Sequence, residues 1–222
     1  MDWTALRLSL ALALWTTAVL LPLAILIARA LAWRRFRGQG FVEALIALPL
    51  VLPPTVLGYY MLVAAGRASP LGQVYEAAFG APLVFTFEGL VVASLLVNLP
   101  FAVQPLQRAF EAIPESLREA AWCSGLSRWT TFARVEMPLA WTGLASAAAL
   151  TFAHTLGEFG VVLMMGGNIP GETRTISIAI YDRVQAFAMD EAAAMSAALL
   201  ALSFVAVGIV YGLGRRGQVR RR

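Results

Sequence analysis

Five apolar runs, at about Leu8–Leu31, Phe41–Ala65, Gly89–Leu106, Leu139–Met165 and Ala192–Leu213, are each long enough to cross a lipid bilayer as a helix. A hydrocarbon core of about 30 Å needs roughly 20 apolar residues in helical form, and only helices or closed barrels satisfy their own backbone there. Composition agrees. Hydrophobic residues make up 59% of the 222 and charged residues 14%, with a mean hydropathy of +0.73; a soluble domain carries about 25% charged residues. The chain is expected to be all-α and integral to a membrane, one transmembrane domain over 1–222 without an appended soluble domain. Pro100 and Pro105 crowd the end of the third run. A sixth span could hide in 173–190, but Arg174, Asp182, Arg183 and Asp190 make that stretch too polar to cross alone. The first run exceeds the ~7–15 residues of a secretory h-region and has no small-residue cleavage site before Arg34. It reads as an anchor, not a signal peptide.

Arginines set the orientation, because basic loops stay on the cytoplasmic side. With five spans and the N-terminus outside, Arg29, Arg34, Arg35, Arg37, Arg108, Arg118, Arg128, Arg134, Arg215, Arg216, Arg220, Arg221 and Arg222 fall inside. Only Arg7, Arg67, Arg174 and Arg183 fall outside. The C-terminus is then inside, its basic tail facing anionic lipid, and the net charge of +4 needs no nucleic acid to explain it. Two loops are long, an inner one at about 107–138 and an outer one at about 166–191. Pro22, Pro49, Pro53 and Pro54 bend or break the first two spans. Small residues in the last run permit close packing and a dimer contact. No inverted repeat is visible, which speaks against a repeat-built secondary transporter. Cys123 and His154 are the sole cysteine and histidine, too few for an intrachain disulfide or for a zinc site built by one chain. Cys123 reads as a small buried hydrophobe.

The inner loop contains ESLREAAWCSGLSRWTTFARVEMP, 115–138, a polar stretch in an otherwise oily chain. Pro114 can start a helix, and Ser116 with Glu119 has capping-box spacing. Leu117, Ala120 and Ala121 would share one face. Gly125 stands where a left-handed C-terminal cap belongs. Ser127 can cap a second short helix carrying Trp129, Phe132 and Ala133, which Pro138 closes. The unit is therefore two short helices with a glycine corner. Three readings fit it: a helix-turn-helix for DNA, a hairpin lying in the headgroups, or a docking knob for a cytoplasmic protein. DNA binding suits it least, because both ends are tied into spans and no long basic recognition helix is present.

The same residues resemble the signature of the membrane subunits of ABC importers: Glu119-Ala120-Ala121, then Gly125, then Val135, Met137 and Pro138. Valine and methionine stand where isoleucine and leucine are usual, and both keep an apolar side chain. The stretch 150–181 resembles the permease of molybdate importers, most specifically in Leu156–Gly160 (LGEFG) and in Asn168–Thr175 (NIPGETRT). Sulfate and tungstate permeases share the LGEFG region. The likeness covers about 90–215; the first two spans fit in pattern only.

The resemblance implies a type I importer permease with a five-span core, six spans being possible, in a bacterial or archaeal cytoplasmic membrane. It implies that the hairpin, with Glu119, Ala120, Ala121, Gly125, Leu126 and Pro138, couples to a separate ATPase subunit. The chain has no G-x-x-x-x-G-K-[ST] phosphate loop. It is thus expected to be no enzyme and to hold no cofactor of its own, ATP and Mg being bound by two partner ATPases. A homodimer would complete the pathway, and an extracytoplasmic binding protein would deliver the oxyanion.

A doubly charged anion is costly to desolvate, and the interiors of the spans offer no arginine. The path is therefore expected to be polar and of low affinity, with Ser146, Thr151, Thr155, Gly157, Glu158 and Gly160 as candidates. An ionisable group in a span marks function by default, yet a carboxylate repels an oxyanion. Glu158 is therefore expected to pair with His154, four residues earlier, as a structural or gating pair. Pro170-Gly171 marks a turn, and Asn168 and Arg174 are candidates for contact with the binding protein or the anion. From other classes, an ATP-independent channel or scaffold would not need the hairpin, and an intramembrane enzyme would need more than His154 and Glu158.

Overall fold

Residues 1–219 are described in this computed structural model; Arg220, Arg221 and Arg222 of the basic tail lie outside them. Among the described residues all regular structure is helical. Helix α1, Trp3–Trp33, starts at Asp2, whose carboxylate accepts the N–H of Ala5 at 2.9 Å, and runs through Pro22. Helix α5, Phe87–Glu111, starts at Thr86, whose hydroxyl accepts the N–H of Gly89 at 3.1 Å. It continues through both Pro100 and Pro105 and takes in the first residues of the expected 107–138 loop. With α12, Met189–Val219, these are the described helices long and apolar enough to cross a membrane singly.

The second and fourth expected spans are broken. Helices α2, Gln39–Val51, and α3, Pro54–Ala65, meet at 113°. Pro53 supplies no N–H and disfavours a helical Leu52, while Pro54 is suited to the first helical position. Both Leu52 and Pro53 are accordingly extended. Helices α9, Trp141–Gly157, and α10, Gly160–Gly166, meet at 62° across an extended Glu158. The two half-helices beyond the breaks pack together. A side chain at Gly160 would strike Pro54, and one at Gly58 would strike Met164. Glycine at both places lets α3 and α10 approach closely.

The main core joins α1, α5 and α9 through Leu20, Ala24, Ala28, Leu31, Ala102, Val103, Leu106, Phe110 and Ala147. Gly143 lies against Ala109 and the carbonyl of Pro105, so α9 crosses α5 nearly backbone to backbone. The segment after the second span was expected to be a short loop. It contains a helix instead, α4, Pro70–Phe79, between a Ser69 cap and a left-handed Gly80. The polar stretch 173–190 yields α11, Ile176–Gln185. Ten residues rise only about 15 Å, so α11 does not cross. Its first N–H, on Ile176, donates to Ser9 Oγ of α1 at 2.8 Å.

Candidate functional site: a glycine-cornered hairpin and a buried polar cluster

Helix α6, Glu115–Cys123, is the first arm of the hairpin. The Ser116 capping box does not form. Pro114 itself occupies the cap position with extended backbone, and Ser116 lies one residue inside the helix. The corner is as the sequence predicts. Gly125 has φ +82°, its N–H donates to the carbonyl of Trp122 at 2.9 Å, and the N–H of Leu126 donates to that of Ala121 at 3.1 Å. That pair of hydrogen bonds closes a helix end in the left-handed manner glycine favours. Ser127 then accepts the N–H of Thr130 and starts α7, Arg128–Thr131.

The second arm does not stop at Pro138. It widens into a π-helical turn, Phe132–Glu136, and continues as α8, Met137–Leu139, with the break at Ala140. The expected apolar face of α6 is also divided. Ala121 is buried, whereas Leu117, Ala120 and Glu119 point away from the chain. Trp129 is 75% exposed. Cys123 is exposed too, contrary to its expected burial.

What α6 turns inward is Arg118. Its Nε donates to Glu136 Oε1 at 3.3 Å, and its guanidinium lies 3.7 Å from the centre of the Trp33 ring. Glu136 is fully buried and also receives Arg29, from Nε at 2.6 Å and Nη2 at 3.2 Å. One carboxylate thus ties both arms of the hairpin to the end of α1. A desolvated carboxylate requires such partners. Glu136 had no expected role, and Arg29 was expected only as one of the arginines that set the orientation. Arg29 lies in the last turns of α1, which ends at Trp33. The available signals were an arginine inside an apolar run and an acid two residues before Pro138.

The buried polar cluster sits at the α9–α10 break. Asn98 Nδ2 donates to the Ser94 carbonyl at 2.8 Å, which turns its Oδ1 to His154 Nδ1 at 3.1 Å. Asn98 Oδ1 can only accept, so His154 carries a proton on Nδ1. The ring stacks on Phe101 at 4.1 Å, and His154 Nε2 stands 3.8 Å from Glu158 Oε2. Glu158 Oε1 accepts the N–H of Val161 at 3.3 Å and so caps α10. The expected pair lies within one chain, with Asn98 as an unforeseen third member. Thr151 and Thr155 are buried, and the Thr155 hydroxyl donates to the Thr151 carbonyl at 2.8 Å. Ser146 donates to the Thr142 carbonyl at 2.8 Å. Gly157 is exposed, and Gly160 faces Pro54.

The 168–175 turn is closed by its own backbone. Ile169 O accepts N–H groups of Glu172, Thr173 and Arg174, and Gly171 takes φ +84°. Arg174 Nε donates to Asn168 Oδ1 at 2.6 Å, Asn168 Nδ2 donates to Asp182 Oδ2 at 2.8 Å, and Arg174 Nη2 lies 3.6 Å from the same oxygen. Arg174 therefore shares its charge with Asp182 and locks the turn onto α11.

Comparison with known proteins places these elements. Residues 21–219 match the family described as binding-protein-dependent transport system inner membrane component. The molybdenum transport system permease protein ModB of Azotobacter vinelandii is 49% identical over 214 residues, 96% of this chain and 95% of that protein. ModB of Haemophilus influenzae is 36% identical over 219 residues, 98% of this chain and 96% of that one. The fold is shared with a bacterial alginate ABC transporter solved with its alginate-bound periplasmic protein. The TM-score is 0.75 at 19% identity, covering 96% of this chain and 78% of that one.

Proposed function

We propose that this chain, which belongs to the family of binding-protein-dependent transport system inner membrane components, is the permease subunit of an ATP-driven molybdate importer. It is an inner membrane component with the fold of ABC importer permeases. The observation that carries the substrate is the 49% identity to a molybdenum permease along nearly the whole of both chains. Two copies would form the pathway, with the N-terminus outside and the C-terminus inside. An extracytoplasmic binding protein would supply the oxyanion and two cytoplasmic ATPases the energy. This orientation would put the α6–α8 hairpin in the cytoplasm, the side that the arginine distribution favours.

Geometry supports a coupling role for the hairpin. Its outer face, with Leu117, Ala120 and Trp129, is left uncovered by the described residues, while its inner face is held to α1 through Arg118 and Glu136. A load applied to the outer face would reach the first span directly. The permease performs no bond chemistry; it links the energies of two distant sites.

The reading is tested in liposomes containing the permease, its ATPase and its binding protein. Molybdate-loaded binding protein should raise ATP hydrolysis and drive uptake, above tungstate and sulfate. Preference for sulfate would reassign the substrate within the family. Ion flux without ATP would replace the importer by a channel.

Glu158→Gln is expected to lower molybdate-stimulated hydrolysis by roughly fivefold, the lower end of usual coupling energies, with assembly intact. Glutamine keeps the acceptor for Val161 and removes the ionisable group facing His154. Normal coupling in this variant would make the cluster a packing feature without a role in gating.

A further inference from the structure

A cavity of about 380 Å³ lies between the end of α1 and the hairpin, lined by Leu26, Arg29, Ala30, Trp33, Arg34, Arg118, Trp122 and Arg128. Four arginines face one pocket whose lining contains no acid. Glu136, behind it, offsets only one of the four charges, through Arg29 and Arg118. Each of those arginines keeps N–H groups that Glu136 does not use. Arg34 and Arg128 are exposed and make no ion pair among the described residues.

The occupant can be read from what adjoins the pocket. Val19, Leu23 and Leu26 lie on one face of α1, at i, i+4 and i+7, and all are exposed. That apolar stripe runs from the membrane interior into the pocket at Leu26, and Ala30 and Arg34 continue the same face. Trp33 and Trp122 flank the cavity, an arrangement typical of the level of lipid headgroups. A soluble oxyanion would use the arginines but has no use for the stripe. A glycerophospholipid uses both: phosphate among the guanidinium groups, an acyl chain along Leu26, Leu23 and Val19.

We propose that this pocket is a site for an anionic phospholipid of the cytoplasmic leaflet, which bridges α1 to the hairpin from the lipid side. Basic pockets beside transmembrane helices on the cytoplasmic side bind such headgroups. The proposal rests on α1 being a membrane span and on the orientation given above, but not on the identity of the transported anion.

The test uses the permease assembled with its ATPase in nanodiscs of phosphatidylcholine containing phosphatidylglycerol with the same acyl chains. Lipids that survive gentle extraction are counted by native mass spectrometry, with no molybdate or ATP present, so failure of the substrate assignment leaves the count unaffected. Phosphatidylglycerol should be retained selectively. Arg34→Gln combined with Arg128→Gln should reduce that retention at least roughly tenfold, with complex yield as the check on folding. Leu26→Gln should weaken it independently. Millimolar inorganic phosphate should not displace the lipid. Equal retention of both lipids, or unchanged retention in the double variant, would overturn the proposal. Displacement by phosphate would turn the pocket into a soluble-anion site. Retention by the isolated permease that vanishes on binding the ATPase would mean the ATPase covers the pocket, which also overturns it.

Discussion

Gly125→Pro is expected to abolish molybdate-stimulated ATP hydrolysis in the reconstituted importer while the permease still inserts and dimerises. Gly125 holds φ +82°, and its N–H closes the end of α6 on the carbonyl of Trp122. Proline can supply neither, since its φ is fixed near −65° and it has no N–H; the penalty is about 3 kcal/mol. That corresponds to roughly a hundredfold fall in the population with the native corner. Among the described residues nothing lies within 4 Å of where a side chain at Gly125 would begin, so the cost is one of backbone conformation and not of crowding. Gly125→Ala should therefore be milder, about 1–2 kcal/mol. Stimulated hydrolysis should rank wild type, alanine, proline. Equal activity of all three would show that the corner does not transmit.

Glu136→Ala is the second large effect. Removing one partner of a buried ion pair costs about 3–5 kcal/mol, because the other charge is stranded. Arg29 is 30% exposed at the side chain, and water can reach it, which places the expected loss near the lower end, about 3 kcal/mol. Glu136→Gln keeps the shape and acceptor oxygen and should lose less. The checks are thermal unfolding of the purified permease and trypsin cleavage after Arg118 and Arg128. The alanine variant should melt lower and be cut sooner at the hairpin. If its melting and cleavage match wild type, the carboxylate does not hold the arms to α1.

The lines of the fold that rest on local chemistry were legible in the sequence. The left-handed Gly125, the Ser127 cap and the approach of His154 to Glu158 each depend on residues within five positions of one another. Length and hydropathy located all five apolar runs. The breaks were foreseen only in part. Pro53 and Pro54 announced the first. The second lies at Glu158, where no proline stands; the Glu158 carboxylate, accepting the Val161 N–H, and the Ser177 hydroxyl, donating to the Leu156 carbonyl at 3.2 Å, help satisfy the interrupted backbone. Pro100 and Pro105, by contrast, did not end α5.

The missed interactions are long-range. Arg29 and Glu136 are 107 positions apart, and Ser9 and Ile176 are 167 apart. Neither residue of a pair reveals its partner through spacing. The Ser116 box failed for a local reason: Pro114 had already set the helix start two residues earlier.

Cys123 adds a practical consequence. It is the sole thiol of the chain, and it is exposed on α6, in the same hairpin arm as Arg118. The unmodified protein is thus already a single-label molecule. A fluorophore or spin probe attached through a thioether would go to one known address beside the glycine corner. The arrival and departure of whatever docks there could then be followed in real time, without first stripping competing cysteines from the chain.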